Sequence, residues 1–393
     1  MFSKDFRNRL TVFFLQKNTV ISVYILLAFI SGLKQYLIGK FNNYLIFKFV
    51  FWHTVWQKPL YVRSATEYLD SNHYGPFFSL IIAPFALLSN GFGMVLWNLA
   101  NTFLFLLGVF SLSLPNKYKI LILWICAHEC LTSLLSFQFN VGITGLILLS
   151  FSYMERKKSF LAALSLMVGF LVKLYGIVAL AFFLFNKKKI SFIGYTILLF
   201  VILFWLPALI SSPAFVIKSY QDWFSSLVYK SIDNTININA DISFLGFVRK
   251  TFGIHINVLY GCALAGFLLL IALLRFKMHQ FLTYRFFILA YVLLCLVLFN
   301  TNVESATYII GFLGIAIWFL FVKKSSYTIF LFVFAMILTS FSPSDIFPRY
   351  IRETYVIPYA LKALPCILIW IDLTCRLLFN TFEFNKEIET VHD

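Results

Sequence analysis

Apolar residues run along this chain in long stretches, broken by short polar connections that are mostly basic. Stretches at roughly 19–37, 91–113, 118–137, 139–155, 190–211, 258–276, 280–300, 305–322, 326–342 and 360–378 each predict a helix suited to about 30 Å of hydrocarbon. Two further segments are ambiguous. Tyr74–Leu88 is short for a crossing and contains Pro76 and Pro84, which disfavour an unbroken helix. Ser159–Asn186 is too long for one simple span and carries Lys173 in its middle. The basic clusters decide both. The N-terminal group (Lys4, Arg7, Arg9, Lys17), Lys117/Lys119, Arg156–Lys158, Lys187–Lys189, Arg275/Lys277 and Lys323/Lys324 fall on one side of a membrane only if 74–88 does not cross and 159–186 crosses twice, turning near Lys173. The prediction is an all-α polytopic membrane protein of about twelve spans, with residues 1–18 and the 379–393 tail both cytoplasmic.

Three longer loops then face outward, at roughly 38–90, 212–257 and 343–359. In the first, Tyr44–Gln57 predicts a helix lying in the interface. At 100° per residue, Asn43, His53, Thr54 and Gln57 share a narrow polar arc while Phe and Trp fill most of the rest, so an aromatic face is expected to rest in lipid. Segment 74–88 is a second interfacial element. No internal repeat or soluble domain is apparent, and 1–393 is expected to be one transmembrane domain.

Composition agrees with this picture and excludes others. Of the residues, 61% are hydrophobic and 12% charged, too few charges to cover a soluble globule. The net charge of +16 would point to nucleic acid in a soluble domain, but here Lys and Arg collect in the loops between apolar runs, so no nucleic-acid partner is expected. The six cysteines lie in or beside apolar runs and form neither a disulfide framework nor a zinc pattern. The basic, then apolar, N-terminus lacks a small-residue cleavage site and is expected to be a retained first span.

With only 16 acidic residues, each can be asked why it is there. Glu67 and Asp70 stand in the first outer loop just before His73-Tyr74-Gly75-Pro76, where a carboxylate over a membrane-embedded cavity can accept a proton from a hydroxyl. Glu304 lies in a short outer turn with Asn300, Asn302 and Ser305, more polarity than a turn requires. Glu129, beside His128 deep in the 118–137 span, points either to function or to a polar clamp between helices. Asp372 and Arg376, four apart in the last span, predict an internal ion pair. Lys173, at an outer turn between two short helices, is placed to meet a lipid phosphate as a point charge. Arg249, Arg349 and Arg352 stand in outer loops against the charge trend, as anionic ligands on that side would require, and Gln138 and Asn140 begin the 139–155 span at the same surface. No P-loop, dinucleotide fingerprint, zincin motif or nucleophile elbow is present.

The order of Leu60-Tyr61, Tyr74-Gly75-Pro76 running on to Leu88, and Leu96-Trp97-Asn98-Leu99-Ala100-Asn101, followed by Gln138-Phe139-Asn140, Ala162–Lys173 and Lys187–Lys189, resembles the type-C superfamily of membrane glycosyltransferases. Within it the chain is similar to glycosyltransferase family 87, the polyprenol-phosphate-mannose-dependent group, over roughly residues 38–190. Members usually carry an Asp early in the first outer loop as base. Here Lys40-Phe41-Asn42-Asn43-Tyr44 has no carboxylate, so either Glu67, Asp70 or Glu304 takes that role, or the chemistry differs or is lost.

The resemblance implies an inverting transferase, acting at the outer face of a bacterial-type inner membrane. It would move a sugar, mannose-like, from a polyprenyl phosphate to a lipid or glycan acceptor. The expected base is one of Glu304, Asp70 and Glu67. Substrate would be held by Lys173, Asn43, His53, His73, Tyr74, Gln138, Asn140, Glu129, Arg249, Asn302 and Arg349. Membrane lipids and the polyprenyl-linked donor are the expected partners, and a divalent metal is possible but not indicated. A glycolipid transporter or flippase, which predicts matching broken helices in two halves, and a glycan polymerase or ligase are the alternatives.

Overall fold

A computed structural model describes residues 12–236 and 240–379; Lys4, Arg7, Arg9 and the tail from residue 380 lie outside the described residues. All regular structure among the described residues is helical. In chain order the main helices are α1 (Lys17–Leu37), α2 (Asn42–Val55), α3 (Phe78–Ala86), α4 (Asn90–Ser111), α5 (Asn116–Leu135), α6 (Asn140–Glu155) and α7 (Ser159–Val172). After a 3₁₀ segment (Leu174–Phe185) follow α8 (Lys189–Trp205), α9 (Pro213–Ile236), α10 (Phe244–Phe252), α11 (Val258–Leu273), α12 (Leu282–Leu298), α13 (Tyr308–Phe321), α14 (Ser326–Phe334) and α15 (Leu364–Phe379). Among the described residues four helices are long and apolar enough to cross a membrane, or five if a pair bent by 91° before α15 is one span, and six apolar helices of 10–17 residues accompany them.

Helices that are apolar on every side are buried by others or face hydrocarbon. α6 and α12 are of the first kind, buried along nearly their whole lengths. α1 and α8 are of the second, presenting Leu26, Phe29 and Ile30 and Ile193, Ile197 and Val201 outward. At one end of the bundle the basic residues gather. Lys17 lies 4.7 Å over the Phe110 ring, Lys119 Nζ donates to Phe110 O at 3.1 Å, Arg156 donates to Ser111 O, Arg285 pairs with Glu155 at 2.6 Å, and Arg275 donates to the Leu377 and Leu378 carbonyls. At the other end the long loops meet, with Asn43 bonded to Ser136 O at 2.9 Å, His73 to Ser226 at 2.9 Å and Ser231 to Thr301 at 2.7 Å.

The 159–186 segment is a hairpin that breaks at Lys173, whose backbone is extended (φ −154°, ψ 94°). A Cβ on Gly176 would sit 2.3 Å from Phe170 N, so only glycine lets the two arms fold this closely. The second arm, 12 residues long, is a 3₁₀ helix, and at about 2.0 Å per residue it reaches about 24 Å, further than an α-helix of the same length. Segment 74–88 forms the nine-residue α3, about 13 Å long and so too short to cross. The expected aromatic face of 44–57 in lipid is corrected. α2 buries Tyr44, Phe47, Val50, Phe51, His53 and Thr54, with Phe47 stacked edge-on against Tyr74, Phe78 and Trp97. With aromatics on nearly every face, the helix gains more by packing against α3 and α4 than by lying on a surface.

Candidate active site

The first loop is seated on the hairpin turn by close backbone contact. Gly75 N–H donates to Val172 O at 2.9 Å, and a Cβ on Gly75 would meet Leu171 O at 2.0 Å. That contact brings Tyr74 against Lys173. The ammonium lies 5.4 Å from the Tyr74 ring centre and 4.6 Å from that of Tyr175, a cage that favours a cation. Tyr74 is itself fixed, its hydroxyl accepting from Phe139 N–H at 3.1 Å and its carbonyl from Tyr61 at 3.0 Å.

From Lys173 a chain of polar contacts runs to Glu304. Lys173 Nζ donates to Asn140 Oδ1 at 2.7 Å, Asn140 Nδ2 to Gln138 Oε1 at 2.8 Å, and Gln138 Nε2 to Glu304 Oε2 at 2.8 Å. Each amide passes its donor end toward the carboxylate and its acceptor end toward the ammonium, so both charges are neutralised over distance while remaining open to the cavity. The 300–305 turn is held by Asn234 Nδ2 donating to Asn302 Oδ1 at 2.9 Å and by Tyr175 Oη donating to Asn302 O at 3.3 Å.

These groups form the polar end of a cavity of about 650 Å³, lined there by Asn43, Asp70, His73, Tyr74, Gln138, Lys173, Tyr175, Lys230, Asn300, Asn302 and Glu304. Its other arm is apolar, running between the 3₁₀ segment (Ile177, Val178, Ala181), α11 (Ala265, Gly266, Leu269) and α12 (Val292, Leu296). With about three residues per turn, the 3₁₀ arm sets Tyr175, Val178 and Ala181 in one line along this wall. A second, polar cavity of about 820 Å³ lies beside the first, lined by Arg63, Asp222, Ser225, Ser226, Tyr229 and Asp233 among others. Four residues line both: Asp70, Ser71, His73 and Lys230. Lys230 Nζ is 3.9 Å from Asp70. His73 is fixed through Nδ1 to Ser226 at 2.9 Å and Nε2 to Ser71 at 3.3 Å, and burial, then Lys230, pushes its pKa down to about 4, so the ring is neutral at pH 7. Among the described residues no three His, Cys, Asp or Glu side chains group to hold a metal ion.

A sequence profile described as glycosyltransferase family 87 matches residues 72–301, more than half of the chain and including Lys173, Gln138 and Asn140. The chain belongs to glycosyltransferase family 87. No curated protein matches it. With the apolar helices, the family makes this a membrane protein and a glycosyltransferase. The match confirms the resemblance over 72–190 and carries it on through α9, α11 and α12, where sequence reading alone found little.

In this family 87 chain, the structure brings Glu304, Asp70, Lys173, Asn43, His73, Tyr74, Gln138 and Asn302 to the cavity lining, with Asn140 directly behind Lys173. It does not bring the rest. Glu67 bonds His53 Nε2 at 2.7 Å, and both lie off the lining. Glu129 is fully buried and paired with Lys362 at 3.1 Å, the clamp between helices. Arg249 pairs with the buried Asp241 at 2.8 Å. Arg349 is turned outward, 80% exposed, and pairs with Glu353 at 2.7 Å. Asp372 and Arg376 do pair, at 2.6 Å. Sequence reading missed Lys230 and Tyr175, while Asn300 was legible only as part of the polar 300–305 turn. Lys230 carries the same signal as Arg249, a cation in a loop expected to face outward. The helix that presents it starts at Ser212-Pro213, where Ser212 Oγ accepts from Phe215 N–H at 3.3 Å, a legible cap followed by proline at the first helical position.

Proposed function

We propose that the protein transfers a sugar, mannose-like, from a polyprenyl-phosphate donor to the hydroxyl of a lipid or glycan acceptor, with inversion, at the outer face of a bacterial-type inner membrane. The observation that carries this reading is the junction, at Asp70, of a largely apolar cavity with a more polar one, Asp70 being the one carboxylate that lines both among the described residues. The apolar arm of the first suits an isoprenoid chain, and its polar end suits a phosphate and sugar. The second, hydroxyl- and charge-lined, suits a glycan acceptor. The acceptor oxygen attacks the anomeric carbon in line, its proton passes to the Asp70 carboxylate, and the carbon–oxygen bond to phosphate breaks with its electron pair going to the phosphate. Lys173 faces the charge that develops there, and Glu304, aimed by Gln138, accepts hydrogen bonds from sugar hydroxyls. A single pre-placed group of this kind is worth about 10²–10³ in rate. In this reading α1, α4–α7, the 3₁₀ arm of the hairpin, α8, α11–α15 and their extensions make twelve crossings, with both termini cytoplasmic.

The test uses the full chain in nanodiscs with a radiolabelled polyprenyl-phosphate sugar and extracted membrane lipids as acceptors. Asp70→Asn and Lys173→Ala are expected to lower transfer by about 10² or more, Asp70→Asn with donor binding kept, while Glu67→Gln stays within a few-fold of wild type. Loss on Glu67→Gln with Asp70→Asn active would move the base. No transfer by wild type from any donor, together with lipid movement between leaflets, would replace the reading with that of a flippase.

A further inference from the structure

The Glu304 turn is held from two sides, and only one belongs to the site described above. On the far side stands Lys362, at the start of α15's lead-in turn, with its side chain 3% exposed. Nζ donates to Ser305 Oγ at 2.9 Å and lies 3.3 Å from Ser305 O, 3.1 and 3.3 Å from the two Glu129 oxygens, and 4.6 Å from the Tyr308 ring centre. The chain is bent to put it there. Ala360 takes a left-handed conformation (φ 50°), and the helical segments flanking it cross at 91°. A left-handed alanine is unfavourable on its own, so the surrounding contacts hold it.

A buried ion pair adds little to stability over apolar packing of the same volume, and this one spends its spare donor on the residue next to Glu304. We propose that Lys362, neutralised by Glu129, is a positioning residue that fixes the Ser305 turn and thereby the direction of the Glu304 carboxylate into the cavity. Glu304 is otherwise held by Gln138 and by its own turn, in which its backbone N–H donates to Thr307 Oγ1 at 3.4 Å. Val303 O and Ala306 O keep their own donors, Ile242 N–H at 3.0 Å and Asn140 Nδ2 at 3.1 Å, so with Ser305 released it is the link between them that can turn and take the carboxylate off the line set by Gln138. The inference rests on the role given to Glu304 above.

The test separates the two. Removing one charge alone strands its partner, so the variant is the pair Glu129→Leu/Lys362→Met, which removes both. In nanodiscs it is expected to unfold within a few degrees of wild type, bind the polyprenyl-phosphate sugar as wild type does, and lose at least 10-fold in kcat. Hydrogen exchange is expected to rise in residues 300–308 and not in α6. Lys362→Arg, which keeps donors to both partners, is expected to retain most activity. In a Glu304→Gln background the paired change should cost nothing further, because both act through one carboxylate. Ser305→Ala, which leaves the charges paired, should raise exchange at 300–308 as well, and serves if the paired variant does not fold. Wild-type exchange at 300–308 in these variants, or an equal loss in the Glu304→Gln background, overturns the positioning role. Full activity of Glu304→Gln itself would instead overturn the role of Glu304 while leaving the exchange result to decide the clamp.

Discussion

Glu67 and Asp70 are three residues apart in one loop, yet one is spent on His53 and the other stands at the junction of two cavities. No local pattern separates them; what does is how closely a partner from another element approaches, 2.7 Å for His53 on Glu67 against 3.9 Å for Lys230 on Asp70. His73 shows the same dependence. Its ring is held between Ser226 and Ser71; burial and then Lys230 act on it most, Asp70 opposes them, Lys173 and Asp233 act more weakly, and its pKa falls to about 4. An unfolded His titrates near 6.5, so the folded state binds the proton less well than the unfolded one between those values. Docking of the first loop on α9 is therefore expected to be fully stable above about pH 6.5 and to lose up to about 3 kcal/mol as pH falls toward 4. Thermal unfolding measured from pH 7.5 to 4.5 checks this, and the slope should be shallower in His73→Gln than in wild type.

At the scale of elements, the hairpin and the first loop make the site by close approach. The 3₁₀ arm gains length, and Gly75 lets the loop backbone reach Val172. In Gly75→Ala the new methyl would fall 2.0 Å from Leu171 O and 2.9 Å from the Trp223 ring, and neither backbone nor a buried indole yields easily. The expected cost is about 1–3 kcal/mol of stability, with Tyr74 and Lys173 moved apart and transfer lowered more than unfolding alone accounts for. Unfolding and transfer measured on the same preparation check it. α2 makes the complementary point. Its aromatic periodicity was legible, but a helix apolar on nearly every face carries no statement of whether lipid or protein covers it.

For the whole molecule, gathering of the basic residues at one end of the bundle and the cavities at the other supports a cytoplasmic basic end. Cysteine at Ser225 is then expected to react with a membrane-impermeant maleimide in intact cells, and cysteine at Lys187 only after permeabilisation. The reverse pattern would invert the proposed orientation.

The sequence by itself determined where most of the apolar helices lie, that 159–186 breaks at Lys173, that 74–88 is too short to cross, and that the Asn300–Ser305 turn is richer in polar groups than a turn needs. These follow from local terms: the transfer free energy of a segment into hydrocarbon, proline's missing donor, and the cost of a charge in an apolar run. Only the tertiary structure decided that Glu129 belongs to Lys362, 233 residues away, and that Lys230 reaches Asp70. Such pairings depend on which helix faces meet, and side-chain packing across the bundle sets that at distances where hydropathy along the chain carries no information.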